Sequence, residues 1–208
     1  ALVLTSGSSL DLSATQADRF ASSLSKQDGA GNVTVTAGGN LSSLNLSAVD
    51  VLTLNAATTL PDSTADLPSA INAATKAITV GDTIDLSGVT ISNYGNLTVD
   101  TNQLSLSVTQ LHGFATSGAD AVTKDNGGLI IAKVGAVADI RTLDLTDASS
   151  IVLNDNDSDV TMLIAQNQLV SSGAGTNTIT LSDAGSANAV VGIENYILSS
   201  AGPNSFTM

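Results

Sequence analysis

The sequence predicts an all-β chain, a parallel β-helix or solenoid with short helical insertions; a β-sandwich is the alternative. Three observations carry that expectation. Short strands recur about every 8–12 residues between turns of Gly, Asn, Asp and Ser. Aromatic residues make up only 2% of the 208 residues, with three Phe, two Tyr and no Trp. A sandwich of this size usually anchors its core on large rings, whereas stacked parallel coils can fill theirs with aliphatic ladders. Finally, Asp outnumbers Glu by 18 to 1, a turn-rich composition, because Asp bonds its own backbone where Glu favours helix. With 42% apolar residues the chain is long enough to bury a core, and one β-solenoid domain over residues 1–208 is expected.

Three phrases repeat along the chain. The first is an apolar-x-apolar strand followed four residues on by Gln: Leu10-Asp11-Leu12 to Gln16, Leu97-Thr98-Val99 to Gln103, Leu104-Ser105-Leu106 to Gln110 and Met162-Leu163-Ile164 to Gln168. The second is a Gly turn and then a short strand, as at residues 28–36, 125–132 and 172–181. The third runs from Leu44-Asn45-Leu46-Ser47 to Leu54 and returns from Leu143-Asp144-Leu145-Thr146 to Leu153, with shorter echoes at 84–93 and 191–199. Two stretches read as helical. Residues 14–25 have Ser13 as an N-cap and Ala17, Phe20, Ala21 and Leu24 on one face. Residues 67–76 have Pro68 in their first turn.

Composition also excludes. A net charge of −13 with six scattered cations (Arg19, Lys26, Lys76, Lys124, Lys133, Arg141) leaves no basic stripe for nucleic acid. Apolar runs such as Leu129-Ile130-Ile131-Ala132 fall far short of the roughly 20 residues a membrane helix needs. Without Cys there are no disulfides and no thiolate chemistry. The first residues show no charged segment ahead of an apolar one, so either a signal has been removed or this is a piece of a longer chain.

On these phrases, and on Gly192-Ile193-Glu194-Asn195-Tyr196-Ile197-Leu198, the chain resembles the β-strand repeat regions of bacterial S-layer proteins and giant adhesins related to the repeats-in-toxin group. The resemblance implies a right-handed parallel β-helix, type I secretion, an extracellular place on the cell surface, calcium in the turns, and a role in lattice formation or adhesion. The Gly-Gly-x-Gly-x-Asp nonapeptide of that group is not intact here, so calcium along the whole chain is not expected.

Candidate sites are few. Asn154-Asp155-Asn156-Asp157-Ser158-Asp159 sets three carboxylates at alternate positions, a spacing with which one loop can wrap calcium. Asp155, Asp157 and Asp159 are therefore the candidate metal ligands, against the plainer reading of a solvated acidic turn. His112 is the single His; with no second His and no Cys it reads as a surface or turn residue, neither zinc ligand nor triad base. Thr34-x-Thr36 and Thr178-x-Thr180 resemble the threonine arrays of ice-binding solenoids, although β propensity alone explains them. The expectation is a non-catalytic, self-associating structural component of a bacterial surface layer, filament or adhesin. The alternatives are a phage fibre module, or a glycan-binding or glycan-degrading β-helix whose groove joins Lys124, Lys133, Arg141 and Asp139.

Overall fold

The computed structural model describes residues 2–5, 8–26, 31–118, 121–153, 157–171 and 175–208. The described residues are mostly strand, with three short helices among them, α1 (Ala14–Phe20), α2 (Val108–Ala115) and α3 (Ile164–Asn167), and a 3₁₀ turn at Thr64–Asp66. The chain divides into two compact units, residues 1–104 with 113–129, and residues 105–112 with 130–208.

In the first unit an eight-stranded sheet follows the path Val122–Lys124, Leu97–Val99, Ile78–Val80, Val51–Thr59, Gly31–Asn40, Ser8–Leu12, with Ala70–Asn72 and Thr90–Ser92 attached beside Val51–Thr59. Leu2–Leu4 pairs separately with Leu24–Lys26. In the second unit Val137–Asp139, Asp159–Met162, Thr178–Leu181 and Asn195–Ile197 form a four-stranded sheet. Beside it Ser150–Leu153 lies between Leu129–Val134 and Val170–Ser171, and Ser186–Asn188 pairs with Ser205–Thr207.

All of these pairs are parallel, and each partner lies 17 to 25 residues further along, often 19, as in Ile78 with Leu97 and Asp159 with Thr178. Parallel neighbours require a crossover between them. The two longest steps contain the two longer helices, 23 from Ser8 to Gly31 with α1 and 25 from Leu97 to Val122 with α2, while the four-residue α3 fits within the 19 from Asp159 to Thr178.

Constant register turns the alternation of each strand into columns. Leu12, Val35, Leu52, Ile71 and Ile91 form one aliphatic column, of which the last four are buried. Ala132, Ile151 and Val170, and Met162 with Leu181, do the same in the second unit. Each fully buried Leu or Ile contributes about 1.5–3 kcal/mol relative to exposure, so a core with little aromatic content is sufficient. The alternate positions form polar columns: Asn40, Thr59, Thr79, Thr98, Thr123 and, beside it, Thr36, Thr53, Asn72, Ser92.

In two of its four copies, at Gln16 and Gln110, the recurring Gln has a function the phrase alone does not disclose: it starts a helix. Ser13 N donates to Gln16 Oε1 at 2.9 Å while Gln16 N donates to Ser13 Oγ at 3.3 Å, a reciprocal capping box at α1. Ser107 and Gln110 repeat it at α2, at 2.7 and 3.2 Å. At α3 the cap is Leu163, which has no acceptor, so only Leu163 N to Gln166 Oε1 remains, at 2.9 Å. Two Gln of the phrase do not start helices: Gln103 opens the strand Gln103–Ser107, and Gln168 is the C-cap of α3, whose capping Gln is Gln166, outside the phrase's spacing.

Two expectations about helices change. The helix read over 14–25 ends at Phe20, and Leu24–Lys26 is a strand. Residues 67–76 are not helical: Ala70–Asn72 is a strand whose Ile71 enters the aliphatic column, and Ala74 and Thr75 adopt φ of 47° and 61°. Parallel pairing on both sides outweighs the helix propensity of Ala-rich text, and left-handed backbone at two successive residues ends any helical path.

Candidate functional site

Among the described residues, several carboxylates accept backbone N–H groups from a distant strand or turn. Asp50 Oδ2 accepts the N–H of Val33 at 2.7 Å, and Asp157 Oδ1 that of Thr176 at 2.7 Å. Asp183 Oδ1 accepts that of Ile164 and Glu194 Oε2 that of Asn177, each at 2.8 Å. An N–H that the ladder does not use must find another acceptor, and a carboxylate is a strong one. The preference for Asp follows from reach: its short side chain stays close to the turn that carries it. Glu194, in the Gly192-Ile193-Glu194-Asn195 phrase, does the same work with a longer arm.

The third repeated phrase has one geometry in three places. Asn45 Oδ1 accepts from Ser47 N and Oγ at 3.0 and 2.6 Å, Asp85 Oδ1 from Ser87 at 2.9 and 2.6 Å, and Asp144 Oδ1 from Thr146 at 3.2 and 2.7 Å. These are side-chain-closed turns, and each buries the Leu between the two polar residues: Leu46, Leu86 and Leu145. The hydroxyl and N–H of Thr146 hold the Asp144 carboxyl below the ordinary carboxylate range.

In each of these turns the backbone N–H of the first polar residue goes to a side chain from earlier in the chain. Asn45 N donates to Asp18 Oδ1 at 2.8 Å, Asp85 N to Thr64 Oγ1 at 3.0 Å, and Asp144 N to His112 Nδ1 at 2.8 Å. Asp18 and His112 are equivalent positions, each five residues past a capping-box Ser, Ser13 and Ser107. His112 is thus a half-buried acceptor on α2 and not the surface or turn residue its isolation in the sequence implied. The signal that would have found it is the spacing Ser-x-x-Gln-x-(Asp or His), which occurs at both helices.

Of the expected calcium ligands, Asp155 lies outside the described residues, Asp157 Oδ1 accepts the Thr176 N–H, and Asp159 sits exposed in its strand. Among the described residues no three or more His, Cys, Asp or Glu side chains converge as metal ligands.

The outer face of the four-stranded sheet carries a shallow depression of about 360 Å³, lined by Asp139, Asp159, Thr161, Thr178, Thr180 and Ile197 among others. Register explains it: Asp139, Thr161, Thr180 and Ile197 form one column, and Asp159 and Thr178 stand in the next. Arg141 clamps Asp139 with two bonds of 2.8 and 2.6 Å and holds its carboxyl down at about 2. Of the four residues expected to line a glycan groove, Arg141 and Asp139 form this pair, Lys133 lies half-buried in Leu129–Val134, and Lys124 is an exposed residue at the end of Val122–Lys124. Thr34 and Thr36 belong to two different columns, and among the described residues a row of four threonines runs through Thr59, Thr79, Thr98 and Thr123. Among the described residues no helix is long and apolar enough to cross a membrane.

Compared with known proteins, the chain matches no family model, no curated sequence and no solved structure.

Proposed function

We propose that the chain is a non-catalytic structural component of a bacterial extracellular surface assembly, an S-layer, surface filament or adhesin, built as a right-handed parallel β-helix and self-associating. The observation that carries this reading is the parallel pairing that returns about every 19 residues, with aliphatic columns inside and Thr, Asn and Ser columns outside. Such ladders give stiffness through backbone hydrogen bonds and spend the side chains on stacking and turn closure. Self-association is supported by exposed Ile197 and Leu198 at and beside the edge strand Asn195–Ile197, since an edge strand presents unpaired N–H and C=O groups to a partner. Sedimentation over a wide concentration range tests it: growth of assemblies with concentration supports the reading, and a strict monomer throughout contradicts it.

Calcium enters only as an accessory at Asp155, Asp157 and Asp159. A thermal midpoint raised by added calcium and lowered by chelator supports the ion there; an unchanged midpoint removes it. The second reading, glycan binding, rests on the depression over Thr161, Thr178 and Thr180, whose hydroxyls and the neighbouring Asp159 carboxylate suit sugar hydroxyls. Binding on a glycan array that is lost in Thr180→Val favours it, and an array without signal removes it.

A further inference from the structure

The equivalence of Asp18 and His112 has a chemical consequence. Both accept one backbone N–H from a turn of the same kind, but the acceptors differ in what a proton does to them. An imidazole accepts at Nδ1 only when that nitrogen is bare; once protonated it is a donor facing another donor. The carboxyl group of Asp18, by contrast, offers an acceptor oxygen in either protonation state.

We propose that His112 is an acid-sensitive latch: its bare Nδ1 holds the N–H of Asp144, and protonation opens that contact while the matching contact of Asp18 with Asn45 stays closed. Of the charged groups in the loop at 141–147, the one placed against His112 is Asp144. Arg141 is bound to Asp139, and Asp144 accepts from Thr146. The Asp144 carboxylate attracts an imidazolium, but it does so from a turn that its own bonds to Thr146 keep closed, so it does not replace the acceptor its N–H has lost. What opens is the attachment of residues 105–112 to the turn at 144–146, beneath which Leu145 is buried.

Amide hydrogen exchange tests the latch, with rates corrected for the intrinsic pH dependence. Between about pH 8 and pH 5 the protection of the Asp144 amide is expected to fall roughly five- to tenfold, the factor for one net hydrogen bond, while that of Asn45 holds. In His112→Asn, whose amide oxygen accepts without titrating, the fall is expected to vanish. Equal protection of Asp144 at both pH values in the wild-type chain overturns the proposal. So does a rise at acid pH, which would mean that the imidazolium has re-paired with the Asp144 carboxylate. Should His112→Asn not fold, nitrogen chemical shifts of the wild-type imidazole still decide: a proton on Nε2 alone at about pH 8 supports the latch, and one on Nδ1 contradicts it.

Discussion

The turns around Asn45 and Asp144 are two solutions to one problem, and their difference shows which parts of the motif are structural and which are free to vary. Both take their acceptor from a helix opened by a Ser–Gln capping box, both close on a following hydroxyl, and both bury a Leu. What changes is charge. The first pairs a neutral Asn with an Asp acceptor, and the second a charged Asp with a His acceptor. The backbone needs an oxygen to close the turn and an acceptor for one N–H; it does not need a particular ionisation state at either place. A chain built from few residue types can therefore keep its geometry constant while making one copy sensitive to pH and the other not.

If the turns are equivalent in packing, truncating the buried Leu has the same effect in each. Leu46→Ala, Leu86→Ala and Leu145→Ala are each expected to cost about 2–5 kcal/mol in denaturant unfolding. A value near zero at one of them breaks the equivalence. Close backbone approaches come next. A Cβ on Gly95 would stand 2.7 Å from the carbonyl carbon of Lys76, and one on Gly113 would meet the Tyr94 ring at about the same range. Gly95→Ala and Gly113→Ala are expected to lose about 1–3 kcal/mol through overpacking, whereas Gly88→Ala, with open space around it, changes stability little.

The capping glutamines sharpen the comparison further. Gln166 is buried, and its Nε2 donates to Ile140 O at 2.8 Å, so Gln166→Ala leaves that carbonyl with the Leu143 N–H alone and takes the acceptor from the Leu163 N–H. Its expected loss is about 1–3 kcal/mol. Gln16 is exposed, and Gln16→Ala should remove about 1 kcal/mol, the usual scale of a cap. Equal losses would contradict the burial argument.

The smallest effect is electrostatic. Because the folded Asp144 carboxyl titrates below its unfolded value, its contribution is fully present above about pH 4 and is lost as pH falls through the folded value. Asp144→Asn, which copies Asn45, is expected to flatten that part of the acid unfolding profile; an unchanged profile contradicts the turn's charge dependence.

Much of this was legible in residues 44–54 and 143–153, where Leu-(Asn/Asp)-Leu-(Ser/Thr) states a closed turn and the following alternation states a strand. Local rules suffice there, because the turn is made by residues two apart. Strand partners were not legible. Nothing near Thr79 says that Thr59 and Thr98 flank it, since register is set by the accumulated length of each crossover. The Gln recurs visibly, but its role depends on a Ser three residues before it, which stands at Gln16 and Gln110 and not at Gln103 or Gln168. At 67–76 Ala-rich text implied helix, and only the two neighbouring strands impose the extended form on Ala70–Asn72. His112 looked inert for the same reason: its partner is 32 residues away.

The central claim is parallel stacking in the register described, and a chain without native cysteine allows it to be tested directly. Thr79 and Thr98 are adjacent in one polar column, so their Cα atoms lie about 4.8 Å apart, within the span of a disulfide. In the double variant Thr79→Cys, Thr98→Cys, mild oxidation is predicted to close an intramolecular disulfide in the folded protein, while Thr79→Cys, Asn96→Cys, two residues out of register, stays reduced. Failure of the first pair to close, or equal closure of the second, contradicts the account.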